Sequence, residues 1–197
     1  KIEMVNRSNE EATLTLLPTL WFYNRWHYGG LKTHPSLKLV SENCVRAEHE
    51  RTGTYYFYYE KAADALFTDN ETNTEKLFGT PNETAFVKDA FQDAIISGKN
   101  RNLLRDRKEG TKFSPVYDLT ITAGKRETIL LRISHNVLQN PFDEDLPIFE
   151  KRNEEADDFY NSIIKQRKAD LAGVQRRAFA GISWINTFYH CVVERYL

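Results

Sequence analysis

The residues best equipped for chemistry lie in a few short stretches. The first is "LWFYNRWHYGG", Leu20 to Gly30, where Asn24, Arg25 and His27 interleave with two tryptophans, two tyrosines and a phenylalanine. Aromatic rings bury large areas, so a core is the default reading. An arginine is almost never fully buried without a partner, so the stretch must leave the core near Asn24. The second stretch is "ALFTDNETNTEKLFGTPNETAFVKDAF", Ala65 to Phe91, dense in Asn, Thr, Asp and Glu with aromatics spaced through it. Such residues bond locally to backbone, which predicts an ordered loop. The loop is too long for a plain connection and too aromatic for disorder, and so reads as functional. The third is Asp143, Glu144 and Asp145. Three clustered carboxylates suggest acid–base chemistry, but their place before Pro147 reads as charge complementing a helix N-terminus.

Other chemistries find no carrier. His27, His34, His49, His135 and His190 form no ligand pair at i, i+4, and Cys44 and Cys191 match no zinc or redox spacing. No metal site and no cofactor is expected. Neither a Gly-rich phosphate loop nor a nucleophile elbow is present. The sequons at Asn6, Asn70 and Asn82 would accept glycans only in a secretory setting.

Charge excludes further classes. Lys plus Arg is 27 and Asp plus Glu is 28, so there is no basic footprint for nucleic acid. No apolar run approaches the ~20 residues that span a bilayer, so neither nucleic acid nor a membrane is expected as a partner. No signal-peptide pattern is visible, which points to the cytoplasm. The 197 residues suffice for one large or two small domains.

The elements that must position these residues are mostly β. "KIEMVNRSNEEATLTLLPTLWF" reads as strand, polar turn and strand, with Thr13 to Leu17 half-buried. In "TGTYYFYYEK", Tyr55, Phe57 and Tyr59 share one face and Tyr56 and Tyr58 the other. "YDLTITAGKRETILLRIS" reads as a hairpin turning at Ala123-Gly124-Lys125, with Leu119, Ile121, Ile129, Leu131 and Ile133 buried on one face. Together these predict an antiparallel β-sandwich over residues 1–142. Its interior stretch 66–102 fits strands poorly, and Phe86, Ala90, Phe91, Ala94 and Ile95 fall near one face of a short helix. Residues 143–197 read as a linker helix and a second, strongly amphipathic helix. That helix places Leu171, Val174, Ala178, Ile182, Ile185, Tyr189 and Val192 at spacings of three and four. The chain opens in mid-strand and ends in mid-helix, and so reads as a piece of a longer polypeptide.

The blocks "LPTLWFYNRWHYG", "LFTDNETNTEKLFG", "PNETAFVKDAFQDAI" and "VQRRAFAGISWINTFYH" resemble, in that order, bacterial members of glycoside hydrolase family 63, the relatives of mannosyl-oligosaccharide glucosidase. The resemblance implies a supersandwich-like β-domain followed by an (α/α)6 barrel, of which this chain would hold the linker helix and the first barrel helix. It implies inverting hydrolysis of α-glucosidic or related bonds, with an oligosaccharide or glycoside as substrate. One carboxylic acid would protonate the leaving oxygen and one carboxylate would activate water. Both would lie beyond Leu197, so no catalytic residue is assigned here and the chain alone is expected to be inactive. The missing barrel segment would be its main partner. Trp21 and Phe22 then read as sandwich core. Asn24, Arg25 and Trp26 would support the domain interface, or contact sugar directly. Asp69, Asn70, Glu71 and Asn73 would project into the sugar site, or cap one another. Lys88 and Asp89 read as an ion-paired or hydrogen-bonded anchor, or would take part in the site. The competing expectation is a stand-alone carbohydrate-binding or scaffold module without catalysis.

Overall fold

The architecture is taken from a computed structural model, which describes residues 1–24, 26, 33–60, 62–143, 145–165 and 168–186. The chain divides into two units, Lys1–Phe142 and Asp143–Leu197. The first unit is built of antiparallel sheets. Its strands are β1 (Ile2–Val5), β2 (Ala12–Leu16), β3 (Leu20–Trp21), β4 (Ser36–Ser41), β5 (Cys44–His49), β6 (Gly53–Tyr59) and β7 (Asp64–Thr68). Three short helices follow, α1 (Thr74–Phe78), α2 (Ala90–Ile96) and α3 (Arg101–Asp106). The unit then closes with β8 (Glu109–Gly110), β9 (Lys112–Ile121), β10 (Arg126–Ile129) and β11 (Leu131–Ser134).

One sheet has the order β11-β6-β5-β4-β8. A second, four-stranded sheet is organised on β9, which carries β7 along one half and β2 and β3 in succession, and β1 with β10 forms a small two-stranded sheet. The aromatic alternation of β6 places Phe57 and Tyr59 in the core between the sheets, with Tyr55 partly buried beside them, and they meet Phe67 and Phe113 from the second sheet. Phe113 is the hub, with ring centroids 4.8 Å from Phe67, 5.4 Å from Tyr59 and 6.0 Å from Phe57. On the far face of the second sheet, Leu66 and Val116 pack against Phe91, Ala94 and Leu104 of α2 and α3. The unit therefore has three layers: sheet, sheet and helices.

Several expectations need correction. Leu66 to Thr68 belongs to β7 rather than to a loop. It is buried on both faces, so it shows no polar alternation by which to read it. The stretch from Ala12 to Leu16 is largely exposed, because it lies at an edge of the second sheet. Trp21 is 55% exposed, while Phe22 packs partly on the core. Trp21 lies on the opposite face of a two-residue strand from Leu20, and that face has no cover. The hairpin is replaced by a corner. Its turn forms, with Lys125 N–H donating to Thr122 O at 3.0 Å and Gly124 at φ 67°. The pairing partners, however, come from the N-terminus: β9 pairs with β2 and β10 with β1, whereas β11 joins β6 in the other sheet. Ile121 and Ile129 are buried, Leu119 and Leu131 half-buried, and Ile133 exposed. A ribbon crossing from one sheet to the other cannot keep one face inward throughout.

Asn6 fills the corner of that ribbon. Only 8% exposed, it donates from Nδ2 to Ile121 O and Glu10 O, each at 2.8 Å. Its Oδ1 accepts from Ser8 N–H at 3.0 Å and from the Ser8 hydroxyl at 2.8 Å. Its own N–H donates to Lys125 O at 2.9 Å.

The second unit contains α4 (Asp145–Ile163) and α5 (Ala169–Ile185). Arg176 of α5 is ion-paired with Asp157 of α4 and lies 4.9 Å from the Tyr160 ring centroid. Leu171, Val174, Ile182 and Ile185 are exposed on α5, whereas Tyr189 and Val192 lie outside the described residues. Two helices do not close a barrel, and none is present among the described residues. No described helix is long and apolar enough to cross a membrane.

Two outcomes follow from these contacts. Asn6→Ala strands two carbonyls and an N–H at the corner and should lower unfolding free energy by about 1–3 kcal/mol, read by urea denaturation; unchanged stability would show the corner to be held elsewhere. Asp118, on β9, accepts from the Thr15 hydroxyl at 2.7 Å and from Arg101, which together hold its carboxyl below the ordinary range. Its contribution is complete above the unfolded carboxylate range and disappears as pH falls through the depressed folded value. Asp118→Asn should therefore flatten the acid limb of a stability–pH curve, and an identical slope in the variant would refute this.

Candidate functional site

The end of β7 launches the polar loop. The Thr68 hydroxyl, fully buried, lies 2.5 Å from Phe86 O and 3.0 Å from Val87 O. Asp69 N–H donates to Phe86 O at 2.8 Å and Lys88 N–H to Glu71 O at 2.9 Å, laying the stretch before α2 along the stretch after β7. Gly110 permits a close approach here, since a Cβ at that position would stand 2.5 Å from Thr68 O. Asn70 N–H donates to the Thr111 hydroxyl at 2.7 Å.

Onto this frame come the residues after β3. Glu71 accepts from Asn24 Nδ2 at 3.0 Å and from the Trp26 indole N–H at 2.6 Å. Asn24 Nδ2 also donates to Asn70 O at 3.1 Å, and Asn70 Nδ2 returns a bond to Phe22 O at 2.8 Å. Trp26 is 9% exposed, with its ring 5.8 Å from that of His34, so it presents no open stacking face. Asn24 Oδ1 is buried without a hydrogen-bond partner. Arg25 lies outside the described residues.

A second cluster adjoins the first. Asn73 caps α1 by accepting from Lys76 N–H at 3.0 Å, and Gly79 ends that helix at φ 70°. The Asn73 amide donates to both oxygens of Asp89 at 3.2 Å, and its carbonyl accepts from Asn82 Nδ2 at 3.0 Å. Lys76 Nζ stands 3.4 Å from Asp89. Lys88 Nζ donates to the Thr72 hydroxyl at 3.2 Å. Asp69 is held by Arg107 through two bonds of 3.0 and 3.2 Å, and the same guanidinium lies 4.6 Å from the Phe86 ring centroid. Burial lowers the Lys112 ammonium from its ordinary value, opposed by the nearby Asp89 charge and reinforced by Lys88.

The structure thus brings Asn24, Trp26, Asn70 and Glu71 together, and joins Asn73 to Asp89. Lys88 bonds the loop backbone and Thr72 rather than pairing with Asp89. Asp69 has both oxygens committed to Arg107, and Glu71 has both committed to Asn24 and Trp26, so neither stands poised for proton transfer. Asp143 begins the second unit, Glu144 lies outside the described residues, and of Asp145 only the backbone is described. Among the described residues no group of three or more His, Cys, Asp or Glu is placed to hold a metal. Sequence reading passed over Arg107, Thr111 and Gly110, whose partners lie about forty residues away in the chain and leave no local trace. Asn82 was visible only as a sequon.

No protein-family model matches the chain, and no solved structure matches it. An uncharacterised protein of Saccharomyces cerevisiae is 28% identical over 229 aligned positions, covering 96% of this chain and 21% of the yeast protein. The chain therefore spans about a fifth of the length of that relative.

Glu71→Ala should destabilise the first unit by about 1–3 kcal/mol, because it leaves the Trp26 N–H buried without its acceptor. Glu71→Gln, which keeps one carbonyl oxygen, should lose less. Equal unfolding midpoints for all three proteins would show that the clamp adds nothing.

Proposed function

We propose that this chain is the non-catalytic β-sandwich and connecting helices of a glycoside hydrolase related to mannosyl-oligosaccharide glucosidase. In this reading the full-length protein cleaves α-glucosidic or related bonds of an oligosaccharide with inversion. The observation that carries the reading is a convergence. The block "LPTLWFYNRWHYG" lies well before the nearly contiguous "LFTDNETNTEKLFG" and "PNETAFVKDAFQDAI", yet Glu71 ties Asn24 and Trp26 to the second, and Asn73 and Asp89 join the second to the third. Residues that a shared family pattern would retain are thus residues that hold one another in place.

The role of the cluster in this reading is positional. Inversion requires two carboxyl groups ~6.5–9.5 Å apart, with room for a water between base and sugar. Those groups would come from an (α/α)6 barrel outside residues 1–197. The loop clamped by Glu71 would form a rigid support for it, as sites need when they are built on loops. The exposed apolar residues of α5 fit the same reading, since Ile182 and Ile185 are 66% and 76% exposed and would be covered by further barrel helices.

A panel of α-glucosides and mannosides, with product anomers followed by NMR, tests the proposal. The full-length protein should turn over at least one substrate with inversion, and the 197-residue chain none. Turnover by the chain alone, abolished by replacing one of its own carboxylates, would place the active site here and overturn the proposal. Absence of turnover across the panel by the full-length protein would also count against it.

A further inference from the structure

A strand at a sheet margin leaves one row of backbone N–H and C=O groups unpaired, and folded proteins guard such rows with charge, proline or brevity. Most margins of the first unit are guarded. β1, β7, β10 and β11 each carry at least one charged residue, and β3 and β8 are two residues long. β2 differs. Its five residues, Ala-Thr-Leu-Thr-Leu, hold neither charge nor proline. It pairs with β9 on one side and with no described strand on the other. Ala12 to Thr15 are exposed, although Thr and Leu alternate as in a strand with one covered face. Ala12, Leu14 and Leu16 stand opposite Ile121, Leu119 and Tyr117, and so share the face on which Ile121 and Tyr117 are buried. Thr13 and Thr15 occupy the other face, where the Thr15 hydroxyl donates to Asp118.

We infer that β2 pairs antiparallel with β2 of a second copy of this chain, across a two-fold axis at Leu14. The strand is complementary to itself in that register. Leu14 meets Leu14, Ala12 meets Leu16 and Thr13 meets Thr15, so apolar side chains face apolar ones and hydroxyls face hydroxyls. A register displaced by one residue would join the apolar face of one copy to the threonine face of the other. Charge agrees with the pairing. Glu11 of one copy stands opposite Leu17 of the other and Glu10 opposite Pro18, so no two carboxylates meet. Leu14 is 36% exposed and Leu119 half-buried, and the pairing continues their apolar face through both copies. A two-fold contact uses each copy's edge once, so it closes at a dimer instead of growing into a fibre. The inference stands apart from the glycosidase reading, because association of the chain and turnover by the full-length protein succeed or fail separately.

Analytical ultracentrifugation of the whole chain over a concentration series, with peptide-level hydrogen exchange at both ends of the series, tests it. A five-residue strand is a small interface, so the dimer should dissociate on dilution, and amides of residues 12–16 should lose protection in step. Leu14→Lys and Leu14→Glu each set like charges across the axis and should weaken dimerisation by about tenfold or more. Mixing the two variants should restore association as a heterodimer. Ile182→Lys, on the exposed apolar face of α5, should leave the dimer intact. Should a Leu14 variant lose its fold by circular dichroism, exchange in the unaltered chain still decides. The inference is overturned by a chain that stays monomeric at every soluble concentration, by dimers that survive either substitution at Leu14, by folded variants that do not associate on mixing, by loss of the dimer in Ile182→Lys, or by protection confined to residues outside β2.

Discussion

The pairing of β7 with β9, buried on both faces, is the contact on which the rest of the first unit depends. Its register sets Phe67 opposite Phe113 and Leu66 opposite Ser114. A slip of one residue would exchange the two faces, sending phenylalanines toward the helices and leucine into the aromatic core. Each face is occupied by a different layer, so both layers specify the same register. Sheet packing alone would fix only one of them.

That constraint reaches the candidate site through the chain itself. Thr68 is the last residue of β7, and its hydroxyl and carbonyl fasten the strands and loops on either side. The loop beyond it inherits a fixed origin, and Asp69 is locked at once by Arg107. From there Glu71 gathers Asn24 and Trp26. A polar loop is thus held by the rigidity of a strand that shows none of its own polarity.

Much of this was legible in the residues, and the rest fails for identifiable reasons. The alternation Tyr55, Phe57, Tyr59 reports an inner face because β6 lies in a sheet with one core side. The polar composition of 69–73 marks an ordered loop, although Asp69, Asn70 and Glu71 are held by Arg107, Phe22, Asn24 and Trp26, distant in the chain, rather than by local backbone. Leu66 to Thr68 hides its strand because burial on both faces erases periodicity. The turn at Gly124 was visible, but its partners were not, because a local turn says nothing of an N-terminal strand more than a hundred residues away. Trp21 misleads because an aromatic type favours burial without guaranteeing a covering layer.

The corner residue Asn6 has a consequence for biogenesis. It is the acceptor position of a sequon, yet both hydrogens of its amide nitrogen are spent on carbonyls of the folded chain. Glycan attachment consumes one of those hydrogens and places a bulky, hydrated branch at a nearly sealed position. Asn70 and Asn82 each spend one amide hydrogen in the fold and retain the other. Oligosaccharide transfer during synthesis would therefore compete with folding most severely at Asn6. In a glycosylating host, the modified fraction would have to close its ribbon around a missing donor, whereas a chain made outside that pathway meets no such competition.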